Sequence, residues 1–455
     1  MSWDLWGWVQ VVNTSQRWGS EVLAPGLASA LGSLPGAGRD GAGHIAVPVP
    51  DARLEALARL ERTRPVQATV EVAEAEGGVE DELAHAVGGA LGAGGPPELS
   101  GRLLAFLRGS AAVVLAVPCP GGGGASPVAW LEAAEGALVA SDLEALEQQT
   151  CKAGATGAAA ELDLAKLGKA LKGSKDPAVK RDAESLARDV VAPGLESLRA
   201  RLRAGLPARG ARPGLEGGAE AGGAPFPALD ARFEELAKGW LNVVVTWRPL
   251  LLVADVPEAE AAGGSGAAAE LAAHAGRRGL PCVAACLALE RERVALLEEP
   301  DFFREYLASL GLAGEGADGA GGWRSQASEV VHRLPPLLNL LTYYTAGEKE
   351  AKAWMCPRVR RDGSSLPFRL AGGPAAPGAA EGDGVPAALA ARAIHTSFES
   401  RAKGVLVWKF EDLEALGPAE AGPGAKERAR AAGKMQKRAA HALLQEGEVV
   451  EFTLG

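Results

Sequence analysis

Six basic side chains, Lys426, Arg428, Arg430, Lys434, Lys437 and Arg438, crowd the stretch AKERARAAGKMQKRAAH beside one acid, Glu427. Read as a helix, such a stripe suits RNA phosphates, bound with release of counterions, and equally suits a solvated helix face. Lys166, Lys169, Lys172, Lys175, Lys180 and Arg181 form a second basic surface with the same two readings. The whole chain carries a formal charge of −10 and a pI near 5.4. That balance argues against coating nucleic acid through global charge, so an RNA contact is expected to be regional.

Other chemistry is sparse. Cys119, Cys151, Cys282, Cys286 and Cys356 are odd in number and scattered, which suits a reducing compartment better than a disulfide framework. Cys282 and Cys286 sit in the apolar, strand-like run GLPCVAACLAL with no second pair or histidine nearby. They are expected to be core thiols rather than zinc ligands. The six histidines show no metal-ligand spacing, and no Ser/His/Asp or Cys/His constellation emerges. The glycine run between Pro120 and Pro127 lacks the strand-to-helix context of a dinucleotide loop and reads as an insertion. A Walker A loop, GxxxxGK[ST], needs glycines for close backbone approach to phosphates, a lysine for their charge and a hydroxyl for Mg²⁺. The chain has no such motif, and its first lysine is Lys152.

The elements that must position these residues follow from periodicity. Leu54, Leu57 and Leu60 mark one face of a helix after the Pro50-Asp51 turn, and alternation from Thr69 to Val72 marks a strand. Apolar runs at Ala112–Val117 and Leu250–Val253 read as buried strands, and Ala267–Arg278 as a helix. Strands alternating with helices predict an α/β fold with a mostly parallel sheet. From Leu143 to Leu206 the spacing is helical, with a turn at KGSKDP, which predicts an inserted helical hairpin. Toward the C-terminus a turn, a strand, the basic helix and a last strand predict a small β-rich domain.

At 455 residues and 47% hydrophobic composition, two or three domains are expected. With 60 glycines and only 5% aromatics, part of the length reads as Ala/Gly-rich, disordered insertion. No charge-free apolar run reaches eighteen residues, which predicts a protein without membrane contact. The start MSWDLWGWVQVV has neither the basic opening of a secretory signal nor transit-peptide character, so a cytoplasmic location is expected.

The segments LLNLLTYYTAGEKEAKAW, IHTSFES, AAGKM and EGEVVEFTLG, in that order, resemble the TGS domain that closes the Obg-like ATPases of the YchF type. Weaker likeness lies upstream: VPVPDARLEALARL followed by ERTRP resembles the segment after the family's first switch, VEVAEAEGG its second switch strand, and LLLVADVPE its base-recognition strand. The resemblance implies a P-loop NTPase-like sheet with an inserted helical arm and a β-grasp-like TGS domain. It divides the chain into residues 1–142 and 209–336 (NTPase-like), 143–208 (arm) and 337–455 (TGS, with a Gly/Ala/Pro-rich insertion near 370–386). It makes the aromatics of LLNLLTYYTAGEKEAKAW core, its charges solvated rim, and His395 a turn residue.

The resemblance also implies ATP and Mg²⁺ as cofactors, a ribosome or ribosomal RNA as partner through the TGS domain and arm, and a monomer. Its nucleotide positions fall on Gly19, Ser20, Glu74, Gly77, Asp255 and Glu258, with Ser20 and Glu74 toward the metal. Most are altered. VVNTSQRWGSEVL keeps only Gly19-Ser20 of the Walker chemistry, and Arg17, its nearest cation, is no equivalent of the phosphate lysine. Glu74-Ala75-Glu76-Gly77 replaces Asp-x-x-Gly, and Asp255-Val256-Pro257-Glu258 replaces Asn-x-x-Glu. Losing one charged partner in a phosphate cradle costs about 2–5 kcal/mol by analogy with buried charge pairs. In affinity that is roughly 30- to 4,000-fold. Two readings follow: a regulatory relative with weakened or lost nucleotide binding and hydrolysis, and a divergent but active ATP or GTP hydrolase. A plain structural reading, polar residues at strand ends, also accommodates Glu74, Glu76, Asp255 and Glu258.

Overall fold

The computed structural model describes residues 8–12, 37–39, 45–74, 99–120, 126–152, 160–211, 232–261, 264–313, 323–359, 384–418 and 423–455, with isolated positions between them. Fifteen strands are described: β1 Trp8–Val12, β2 Gly38–Arg39, β3 Ile45–Pro48, β4 Arg64–Val66, β5 Thr69–Glu74, β6 Ser110–Pro118, β7 Leu250–Asp255, β8 Cys282–Ala285, β9 Leu340–Ala346, β10 Glu350–Pro357, β11 Val385–Pro386, β12 Ala402–Trp408, β13 Gln436–Ala439, β14 Leu443–Leu444 and β15 Val449–Leu454.

Seven strands form the first sheet in the order β2-β3-β5-β1-β6-β7-β8. The β5-β1-β6-β7-β8 block is parallel, and β2 and β3 are antiparallel at one edge. The expected α/β, mostly parallel sheet is therefore present. Its central strands are apolar on both faces because helices cover both. In β6, Val113, Leu115 and Val117 enter one core while Ala112, Val114 and Ala116 enter the other; in β7, Leu250 and Leu252 alternate with Leu251 and Val253. Helices α1 to α3 follow in the chain, α1 at Ala52–Glu61, α2 at Gly101–Arg108 and α3 at Pro127–Thr150.

Helix α3 starts well before Leu143, where helical spacing became legible. Beyond it, α4 (Leu164–Lys172), two short helices, a π turn at Ala187–Val191 and α5 (Ala192–Arg203) pack around a separate core with Leu146, Leu167, Val191, Leu195, Leu198 and Phe233. This region is a cluster of helices rather than a two-helix hairpin. Ala187 to Val191 shift to π geometry directly before Pro193, which cannot donate a backbone hydrogen bond. Three buried carboxylates tie the cluster together and to its surroundings. Glu135 bridges Arg209 and Arg278, Glu147 meets Arg199 and Arg203, and Asp142 accepts from the N–H groups of Val245 (2.7 Å) and Thr246 (2.7 Å) just before β7.

The run GLPCVAACLAL is not one strand: β8 ends at Ala285 and Leu287–Ala295 is helix α7, after α6 at Gly266–Arg277. Helix α8, Pro300–Ser309, follows. Periodicity alone cannot separate a short buried strand from the apolar first turn of a helix.

The second sheet runs β13-β12-β15-β9-β10-β4. Adjacent tyrosines in β9 point to opposite faces, as the two-residue period of a strand requires. Tyr343 Oη donates to the Ala390 carbonyl (2.7 Å) of helix α10, Ala387–Ile394, which comes after α9 at Ala327–Leu337. Tyr344 Oη donates to Asp51 Oδ2 (2.7 Å). The other oxygen of Asp51 caps α1, accepting from Arg53 N (2.9 Å) and Leu54 N (3.2 Å). Both tyrosines are buried, while Glu348 and Lys349 at the hairpin tip are exposed, as the aromatic-core, charged-rim reading anticipated.

The basic stretch 425–441 is not a single helix. Helix α11 covers only Ala425–Ala431, Gly433 adopts φ +73°, and Gln436–Ala439 is strand β13 on the sheet edge. The left-handed glycine lets Lys434 N reach the Ala429 carbonyl (2.9 Å), which closes the helix and turns the chain.

Candidate functional site

In an open parallel sheet, ligands bind beyond the carboxyl ends of the strands, where successive connections diverge. Here that point lies between β1 and β6, since β1 leads toward β3 and β5 while β6 leads the other way to β7 and β8. The sequence candidates map to this rim. Glu74 ends β5, paired with Val11 of β1, and Asp255 ends β7 between Pro118 and Ala285. Glu258 opens the short turn that follows. Gly19, Ser20, Gly77, Arg17 and most of the glycine run after Pro120 lie outside the described residues, as do the side chain of Glu74 and the 370–383 part of the expected insertion.

Asp255 Oδ1 accepts from the N–H of Leu287 (3.0 Å), the first residue of α7, and its own carbonyl accepts from Cys119 N (2.9 Å). Burial pushes the Asp255 carboxyl up to about 6, against the opposing pull of the Leu287 N–H. Glu258 Oε1 accepts from Tyr306 Oη (3.2 Å) of α8. Burial, with Glu258 adding to it, raises the Tyr306 phenol and keeps it the donor. Tyr306 was not singled out from sequence, because it meets Glu258 across 48 residues and no local spacing signals that contact.

Cys119 follows β6, Cys282 opens β8 and Cys286 follows it. Burial pushes Cys119 and Cys286 up to about 12 and Cys282 up to about 11, which fits inert core thiols. Among the described residues no group of three or more His, Cys, Asp or Glu could hold a metal ion. Where ATP and Mg²⁺ are expected, the described carboxylates of Asp255 and Glu258 are engaged within the protein, and no lysine precedes Lys152. The expected phosphate loop lies outside the described residues, and no hydrolytic step follows from Asp255 and Glu258.

The basic candidates divide by their partners. Lys426 Nζ donates to the Ala346 carbonyl (2.6 Å), bridges Glu451 (3.2 Å) and lies 5.2 Å from the Trp408 ring centre. Arg428 donates to the carbonyls of Leu416 (2.9 Å) and Gly417 (2.5 Å), and Arg438 makes a forked pair with Glu448 (2.8 and 3.0 Å). Lys434 bridges Asp412 (3.2 Å) from an exposed position. Arg430 and Lys437 are exposed to solvent. His395 sits in a turn, its Nδ1 2.7 Å from Ser397 Oγ.

No family model matches the chain. It is 28% identical over 230 residues to the ribosome-binding ATPase YchF of Bacillus subtilis (strain 168), covering 50% of this chain and 51% of that protein. It is also 28% identical over 225 residues to the ribosome-binding ATPase YchF of Escherichia coli O157:H7, covering 50% of each. The chain thus spans about half the length of the curated relatives it matches. The solved structure of the Schizosaccharomyces pombe YchF GTPase shares the fold, with a TM-score of 0.59 over 98% of this chain and 97% of that one at 16% identity. The chain is thus similar in sequence, over half its length, to YchF-type ribosome-binding ATPases, and it shares the α/β fold of the YchF GTPase.

Proposed function

We propose that this protein is a ribosome- or RNA-associated regulatory relative of the Obg-like ATPases in which nucleotide binding and hydrolysis are weakened or lost. One observation carries the reading: the first lysine of the chain is Lys152, so nothing at the expected phosphate loop supplies the lysine charge. The rim supports it, because Asp255 stands where the family has asparagine and both Asp255 and Glu258 are held by protein donors. The relatives' names, ribosome-binding ATPase, supply the partner class. On this reading the protein is a cytoplasmic monomer, residues 337–455 act as a TGS domain, and 143–208 act as the arm. No described helix is long and apolar enough to cross a membrane.

A divergent hydrolase is the competing reading, favoured by the retention of Glu258 in the turn after β7. Equilibrium binding of a fluorescent ATP analogue, with and without Mg²⁺ and competed by ATP and GTP, separates the two. No saturation up to millimolar nucleotide is the expected result. Micromolar, Mg²⁺-dependent binding overturns it in favour of the hydrolase.

A further inference from the structure

Among the described residues, four large hydrophobic side chains are exposed, and three of them, Leu297 (49%), Phe302 (57%) and Leu310 (37%), fall on or beside α8. Phe302 lies in the first turn of α8 and Leu310 directly after its last residue, so the exposed apolar ridge runs about 12 Å along the helix at 1.5 Å per residue. Leu297 stands in the turn before the helix. Other side chains of α8 fix it to the core: Leu307 is buried, Phe303 meets the Trp323 ring edge-on (5.7 Å, 80°), and Tyr306 is tied to Glu258. The ridge is therefore held in place by its own core contacts.

Its rim is acidic. Glu298, Glu299, Asp301 and Glu305 are exposed around it, with one cation, Arg304, which pairs with Asp301. Four acids against one arginine leave a local charge of −3. An apolar ridge with that rim repels phosphates and anionic headgroups and complements a partner with the reverse pattern. We propose that this face of α8 docks a lysine- or arginine-rich amphipathic helix of a partner protein, with apolar side chains along Leu297, Phe302 and Leu310 and cations toward Glu298 and Glu305. The same helix bears Tyr306, so an occupant sits on the element that holds Glu258.

The test uses the full chain and a synthetic helical peptide of about 15 residues, leucines at helical spacing and lysines elsewhere. Its controls are a scrambled peptide of equal composition and a glutamate-for-lysine counterpart. Titration is expected to show saturable binding of the lysine peptide only. Phe302→Ser is expected to weaken it on the order of tenfold, as truncation of a central aromatic anchor does. The double variant Glu298→Lys/Glu305→Lys is expected to weaken it similarly and to gain binding of the glutamate peptide. Near-ultraviolet dichroism checks that each variant keeps its fold. Equal binding of the scrambled peptide, or insensitivity to both variants, overturns the proposal. So does RNA binding, or concentration-dependent self-association, that is lost with Phe302→Ser, since either assigns the face to a different occupant.

Discussion

Arg430 and Lys437 are exposed with no acidic side chain among the described residues within ion-pair distance, Lys434 is exposed but paired with Asp412, and Lys426, Arg428 and Arg438 hold the fold together. Phosphate contacts add to affinity in proportion to the counterions they release. The double variant Arg430→Glu/Lys437→Glu should therefore weaken cosedimentation with ribosomes and reduce its logarithmic salt dependence by about 2, with stability unchanged. An unaltered salt slope would return the stretch to a solvated face. Asp255 gives a second test at this scale. Its folded value of about 6 exceeds the ordinary 3.8, so between those values the folded chain keeps a proton that the unfolded chain has lost. Stability from this group is then complete below about pH 4, falls as pH rises, and levels off above about 6, a difference on the order of 3 kcal/mol. Asp255→Asn keeps an oxygen for the Leu287 N–H and should raise the urea midpoint at pH 7 while leaving it near parental at pH 4.

Helix α5 shows an element whose packing overrides its propensity. Gly194 lies inside it, where glycine costs about 1 kcal/mol relative to alanine. A Cβ there would come within 2.2 Å of the buried Phe233 ring, which itself meets Trp247 edge-on. Gly194→Ala should therefore destabilise the protein by about 1–3 kcal/mol despite the helix gain, read as a lowered denaturation midpoint. Restoration by Gly194→Ala/Phe233→Leu would locate the clash. The helix cluster also carries the buried carboxylates. Burial alone would raise Glu135, but Arg209 and Arg278 outweigh it and hold it below the usual range. Asp142, enclosed without a bridging arginine, is pushed up to about 6.

At the scale of the molecule, the two sheets share one segment. Ile45–Pro48 and Thr69–Glu74 lie in the first sheet, while the chain between them adds β4 to β10 of the second and lays α1 on its face. Leu54, Leu57 and Leu60 of α1 complete the core that contains Tyr344, Ala351, Trp408 and Val449. Burying each such leucine contributes about 1.5–3 kcal/mol relative to exposure. Residues 340–455 alone are thus expected to bind a hydrophobic dye and lose cooperative unfolding, and fusion to residues 45–74 to restore it. A cooperatively folded 340–455 fragment would contradict this shared core.

The sequence by itself determined the alternation of strands and helices, the apolar strands β6 and β7, the leucine face of α1 and the absence of a lysine before Lys152. These are local patterns, fixed by side-chain period and residue type. Where two elements with apolar residues abut, as at Cys282–Ala295, local pattern could not mark the change from strand to helix. Nor could it divide the basic stretch, whose turn depends on Gly433 closing one element against a sheet edge assembled from distant strands. Only the tertiary structure decided that Tyr306 reaches Glu258, that Lys426 and Arg438 are structural, and that α1 belongs to the C-terminal sheet. Each depends on contacts between residues far apart in the chain, whose energies become available only once both sheets have formed.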